Sequence, residues 1–226
     1  LEGVKYPVLA GDVAQKFVVS ARRQDGTVGL FLADADASGV TVDGFRTYDD
    51  RRGARVTFAG TPAVELADGD QSAALSYAEI FTQTAQCAEA VGAMERAMEL
   101  TTDYLKSRKQ FGVPLKTFQT LTQRASDVYV ALELARSMSL YATASLNDGV
   151  DDPSVYSRAK LQICRSARKV GQEAIQMHGG IGMTAEYPVG HYVARLTAIS
   201  RTLGDADEHV SALASRLGEY EMVTVN

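Results

Sequence analysis

The chain has 226 residues, 46% of them apolar and 23% charged, the composition of a globular protein long enough to bury a sizeable core. Its net charge of −5 argues against a broad basic footprint, so no nucleic-acid partner is expected. No apolar run approaches the roughly 18–20 residues that a membrane helix needs, and Leu1-Glu2-Gly3-Val4-Lys5 opens the chain without a signal-peptide core. The expectation is a cytoplasmic protein with no membrane partner.

Residues 1 to about 68 read as strands. Phe17-Val18-Val19, Gly29 to Leu32, Val40 to Val42, Arg55 to Phe58 and Ala63 to Leu66 are short β-prone runs separated by turn residues, with Asp25-Gly26 as a hairpin signal. That spacing predicts part of an antiparallel sandwich or barrel. From Asp68 onward the apolar period becomes helical. Cys87, Val91, Met94, Met98 and Leu105 form one stripe, with Thr101 in its gap; Phe118, Leu121, Ala125, Val128, Leu132, Ala135 and Met138 form a second. Val155, Ala159, Ile163, Ala167, Val170, Ala174 and Met177 form a third. Turn chemistry divides them at Phe111 to Pro114, Asn147 to Gly149 and Gly179 to Gly182. A fourth helical segment runs from Tyr187 to Leu203 and a shorter one from Asp205 to Leu217, while Glu221 to Asn226 reads as a frayed tail. The fold class is therefore α+β, mainly α: an antiparallel up-down four-helix bundle (residues 69–226) preceded by part of a β-sandwich or barrel domain (residues 1–68).

Cys87 and Cys164 stand singly inside helical patterns, which argues against a disulfide scaffold or a zinc site. His178, His191 and His209 lack metal-ligand spacing and read as structural. No nucleophile-elbow serine, P-loop or dinucleotide fingerprint is present. Two patches carry more. In Arg108-Lys109-Gln110-Phe111-Gly112, an Arg and a Phe three apart would share a helix face, a pairing suited to a phosphate beside an aromatic ring. The same residues would equally serve as a cationic helix end with a glycine stop. In Gln176-Met177-His178-Gly179-Gly180-Ile181-Gly182, paired glycines at a helix end leave backbone open to close approach, or simply form a cap and turn.

Together with Glu186-Tyr187-Pro188 and Arg195, in this order and spacing, these residues resemble the signatures of the acyl-CoA dehydrogenase family. Leu1 to Lys5 is similar to a strand of that family's middle β-domain. The resemblance implies that an N-terminal helical domain and the first half of the β-domain would precede Leu1. It implies FAD bound across a subunit interface, with Arg108, Gln110, Phe111, Gln176, Gly179 and Gly180 reaching a neighbouring subunit's cofactor. It also implies α,β-dehydrogenation of an acyl-CoA thioester, with an electron-accepting flavoprotein as a further partner. Members carry the proton-abstracting Glu in either of two places. Registered on this chain these are Gly204, in Leu203-Gly204-Asp205-Ala206, and Thr82, followed by Gln83. Neither is a carboxylate; Asp205 and Glu79 are the nearest substitutes, and a flavin-contacting Thr corresponds to Ala206. Kept cofactor residues beside a degraded base site resemble the non-catalytic subunit of actinobacterial α2β2 steroid side-chain acyl-CoA dehydrogenases. The alternatives are a self-sufficient homomeric enzyme using Asp205 or Glu79, and a non-enzymatic helical scaffold. A DNA-binding relative is disfavoured by an acidic C-terminal segment containing Asp205, Asp207, Glu208, Glu219 and Glu221.

Overall fold

A computed structural model describes residues 1–219. The expected tail, Glu221 to Asn226, lies outside the described residues. The chain divides into two compact units, Leu1–Glu79 and Ile80–Asn226.

The first unit holds six strands: β1 (Glu2–Leu9), β2 (Lys16–Arg22), β3 (Val28–Asp34), β4 (Val40–Arg46), β5 (Arg52–Ala59) and β6 (Val64–Glu65). They form two antiparallel three-stranded sheets, ordered β1-β5-β4 and β2-β3-β6. Alternation decides which face is buried. Phe17 and Val19 of β2 point inward with Ala33, Ala54, Val56 and Phe58, whereas Val18 between them is exposed. The rings of Phe17 and Phe58 meet edge to face at 6.2 Å, so the two sheets share one small core, and the sandwich alternative holds over the barrel. Asp25-Gly26 does form the β2–β3 turn: the Gly26 amide donates to the Arg23 carbonyl at 3.1 Å.

Helix α1 (Ser72–Ser107) begins in this unit and continues into the second, which adds α2 (Gln119–Asn147), α3 (Pro153–His178), α4 (Val189–Ile199) and α5 (Ala206–Ser215). The third stripe is buried at every position, and Cys87, Met94, Val128 and Ala135 face it from α1 and α2. Thr101 fits the α1 stripe because its hydroxyl donates back to the Ala97 carbonyl at 2.7 Å. Sequence chemistry sets the start of α3: Asp152 accepts from the Ser154 amide at 3.0 Å, and Pro153 occupies the first helical position. Arg195 of α4 grips Glu89 of α1 through two 2.7 Å bonds, tying the short fourth helix to the bundle. Among the described residues, no helix is long and apolar enough to cross a membrane.

Candidate functional site

Helix α1 stops at Ser107, so Arg108 and Phe111 do not share a helix face, contrary to the expectation from spacing. Beyond the helix, Lys109 and Gln110 (β7) pair with Pro114 and Val113 (β8) in a two-residue hairpin. Of the two turns favoured in such hairpins, the type I′ turn has positive φ at both central residues, as here. Gly112 adopts +82° freely, but Phe111 is held at +53°, a region costly for a bulky side chain. Its ring is nevertheless 92% exposed, touching Phe118 only edge-on at 6.1 Å. Packing within the described residues therefore does not account for the strained conformation of Phe111. Arg108 is fixed through its backbone, donating to Tyr104 and accepting from Leu115 at 2.8 Å each. Its exposed guanidinium makes no ion pair among the described residues. Gln110 is also exposed, its amide donating to the Lys109 carbonyl at 2.9 Å.

The second motif lies where α3 ends. Gly179, at φ +65°, caps the helix by donating to the Gln176 and Ile175 carbonyls, and a 3-10 turn (Gly179–Met183) follows. The glycines differ in role. A Cβ on Gly180 would meet nothing within 4 Å, whereas one on Gly182 would lie 2.9 Å from His178 Cβ. Gly182 is thus a packing residue, while Gly180 and exposed Gln176 are open to a ligand. An aromatic cluster joins the two motifs. His178 stacks on Tyr104 at 4.7 Å and lies 4.8 Å from Tyr187. Tyr104 is one helical turn before Arg108 and His178 adjoins Gly179, so both motifs sit at one end of the bundle. His178 is the buried structural residue expected: its Nδ1 lies 2.7 Å from the Ala174 carbonyl, and burial pushes its pKa down. A guanidinium with no ion pair among the described residues and open glycine backbone are groups able to donate to an anion such as a diphosphate, and an exposed ring near them is able to stack on an aromatic base.

The two positions to which the resemblance assigns a base also converge. Gln83 of α1 donates to the Leu203 carbonyl at 3.2 Å, placing the Thr82 turn beside the Leu203–Ala206 loop. Neither position bears a carboxylate. Asp205 is the N-cap of α5: Oδ1 accepts from the Asp207 and Glu208 amides at 3.0 and 3.1 Å, and the Glu208 carboxylate accepts in return from the Asp205 amide at 2.8 Å. Its other oxygen pairs with Arg201 at 2.7 Å. The Glu208 and Asp207 amides, with Arg201 adding to them, hold its pKa below the ordinary carboxylate range, the wrong direction for a general base. Glu79 is exposed on α1, one turn before Thr82. A cleft of about 390 Å³ lies among α3, α4 and α5, rimmed by Arg168, Thr197, Arg201 and Asp207; it contains neither motif.

Sequence reasoning missed Lys160 and misjudged the interest of His209. Lys160 is fully buried, donating to Gln86 Oε1 at 3.1 Å and to the Ile199 carbonyl at 2.7 Å. Ile199 ends α4, so the ammonium meets the negative end of a helix in place of a carboxylate. Burial pushes its pKa down. Beside it burial drives the Cys87 thiol up to about 12, leaving it protonated and inert. A lysine next to Ala159 on an otherwise apolar stripe was the available signal. Both cysteines are free and buried, and no metal-holding cluster occurs among the described residues.

Residues 81–218 match the family described as acyl-CoA dehydrogenase, C-terminal domain. The acyl-CoA dehydrogenase IpdE2 of Mycobacterium tuberculosis is 34% identical over 58% of this chain and 40% of its own length. The 3-sulfinopropanoyl-CoA desulfinase of Paraburkholderia xenovorans is 31% identical over 88% of this chain and 55% of its own. Among solved structures, a variant of the Tcur3481–Tcur3483 steroid ACAD superposes with a TM-score of 0.88 at 32% identity, covering 96% of this chain and 59% of that one. The ChsE4–ChsE5 complex of M. tuberculosis superposes at 0.86 and 25% identity, covering 98% and 60%. The chain thus spans about half the length of the relatives it matches. With a match over more than half its residues, this chain belongs to the acyl-CoA dehydrogenase family.

Proposed function

We propose that this chain is the non-catalytic subunit of an FAD-dependent acyl-CoA dehydrogenase, lending cofactor-binding residues to a homologous partner. One observation carries the reading. The same chain presents, at one end of its bundle, open glycines and an exposed Arg108 with no ion pair among the described residues, yet has no carboxylate at either position where the family places its base. In this reading Arg108 supplies a fixed cationic fork to the FAD diphosphate, and Gly179 and Gly180 permit close backbone approach. Phe111 stacks beside the adenosine, with Gln110 and Gln176 as neutral hydrogen-bonding neighbours. The bound flavin supplies the hydride acceptor for α,β-dehydrogenation. The proton-abstracting carboxylate comes from the partner, because Asp205 is committed to capping α5. Residues 1–68 then belong to the middle β-domain and residues 69–226 to the helical domain. Likeness to a steroid ACAD and to the ChsE4–ChsE5 complex supports a partner subunit of the same family and a steroid CoA thioester as substrate; in this reading the assembly is α2β2 and the thioester lies on a steroid side chain.

Flavin stoichiometry tests this. Purified alone, the chain should hold no flavin; co-expressed with its dehydrogenase partner, it should give one FAD per pair of chains. Arg108→Ala should weaken flavin retention in that complex roughly 10- to 100-fold, the loss of one charge-assisted phosphate contact. A full complement of FAD on the lone chain would overturn the proposal in favour of a self-sufficient enzyme. No flavin under any pairing would leave a scaffold.

A further inference from the structure

The polar contacts around Gly204 leave one group unexplained. His209 lies in the first turn of α5, its amide donating to the Asp205 carbonyl at 3.1 Å, and the Asp205–Glu208 capping box fixes that turn. The side chain is 6% exposed, and Nε2 is buried without a well-aligned hydrogen bond, facing the backbone of Leu203 and Gly204. Its ring is directed at Gly204. A Cβ placed on Gly204 would lie 2.8 Å from Nε2, 3.1 Å from Cε1 and 3.4 Å from Cδ2, closer than van der Waals contact allows at its nearest approach. Because the imidazole is enclosed, it has little room to swing away as an exposed side chain could. Burial, with the neighbouring Lys160, pushes its pKa down, against smaller opposing effects of the Leu203 and Gly204 backbone and of Glu208.

We propose that His209 closes the base position of this chain: the space a side chain at 204 needs is filled by imidazole. The inference rests on the reading above only for the meaning of position 204; the steric coupling stands on the geometry itself. A base cannot then be restored at 204 by one substitution, because His209 blocks the position that already lacks a carboxylate.

A double-mutant cycle separates this contact from the backbone strain at Gly204. Its φ of +94° penalises any side chain, whatever stands at 209. That penalty is common to both backgrounds and cancels, leaving the contact with His209 as the coupling. The cycle uses Gly204→Ala and His209→Ala, with Gly204→Glu as the larger probe, read by thermal unfolding. Although each single substitution should lower Tm, the double variants should melt about 3 °C or more above the additive expectation. Additive losses would overturn the proposal. If Gly204→Glu fails to fold, the Gly204→Ala cycle alone decides, since the Cβ already makes the contact. In the complex whose partner subunit has had its own proton-abstracting carboxylate replaced by the amide, exchange of an acyl-CoA α-proton with solvent deuterium, observed for G204E/H209A but not for G204E, would support closure of a base site. Coupling without exchange in either variant would support the closure while overturning the identification of 204 as the base position.

Discussion

Asp205 shows how the surroundings of one side chain decide its chemistry. Placed one residue after the expected base, it is a plausible substitute in the sequence; in the structure both oxygens are taken by amides and Arg201. Two substitutions separate cap from base. Asp205→Asn keeps an acceptor for the amides and should leave turnover of the complex nearly unchanged. Asp205→Ala removes the cap and should lower Tm by about 2–4 °C, again with little change in turnover. A loss of several hundred-fold in Asp205→Asn would make Asp205 the base. At this scale the residue types were legible, since Gly204 and Thr82 lack carboxylates whatever the fold. Their environments were not: capping and burial depend on where α5 begins.

Among the elements, the three long helices announced themselves because an apolar stripe at helical period is a local property of the chain. The third stripe, Val155 to Met177, is buried at every position. The Arg108–Phe111 segment departs from its spacing for a local reason: a three-residue spacing is compatible with helix, but Gly112 and Pro114 favour the tight hairpin that pairs Lys109 with Pro114. The hairpin makes a prediction of opposite signs. Phe111→Gly removes positive-φ strain and an almost fully exposed ring, so stability should stay level or rise by roughly 0–1 kcal/mol. Flavin retention in the complex should nevertheless fall. Denaturant unfolding and flavin absorbance on one preparation check both; a large loss of stability would mean that Phe111 is a packing residue.

For the whole molecule, buried histidines set a pH window. His178 and His209 both have folded pKa values pushed below the ordinary 6.5, by burial first and for His209 also by Lys160. Below about pH 6.5 the unfolded chain therefore binds more protons than the folded one, so stability is full above that pH and declines as pH falls towards the folded values. The stabilised carboxylates Asp12, Asp70, Asp152 and Glu173 act in the same direction but only below their ordinary values of 3.8 and 4.5. Tm should thus fall between about pH 7 and pH 5 through the histidines, and His209→Gln should flatten that decline relative to its own Tm at neutral pH. An unchanged slope in both His178→Gln and His209→Gln would refute the assignment.

The sequence by itself determined the mainly helical class, the strand-rich opening, the two motifs and the missing carboxylates. Each is carried by residue identity or by a short period. Only the tertiary structure decided that the motifs meet at one end of the bundle through Tyr104, His178 and Tyr187, and that Lys160 is held by Gln86 and the end of α4. It alone placed His209 against Gly204, although they are five residues apart, because the capping box at Asp205 and Glu208 sets the direction of α5. Periodicity reports which face of an element is apolar. It carries no information about which partner that face meets, and burial, charge and available space at the base position all follow from the partner.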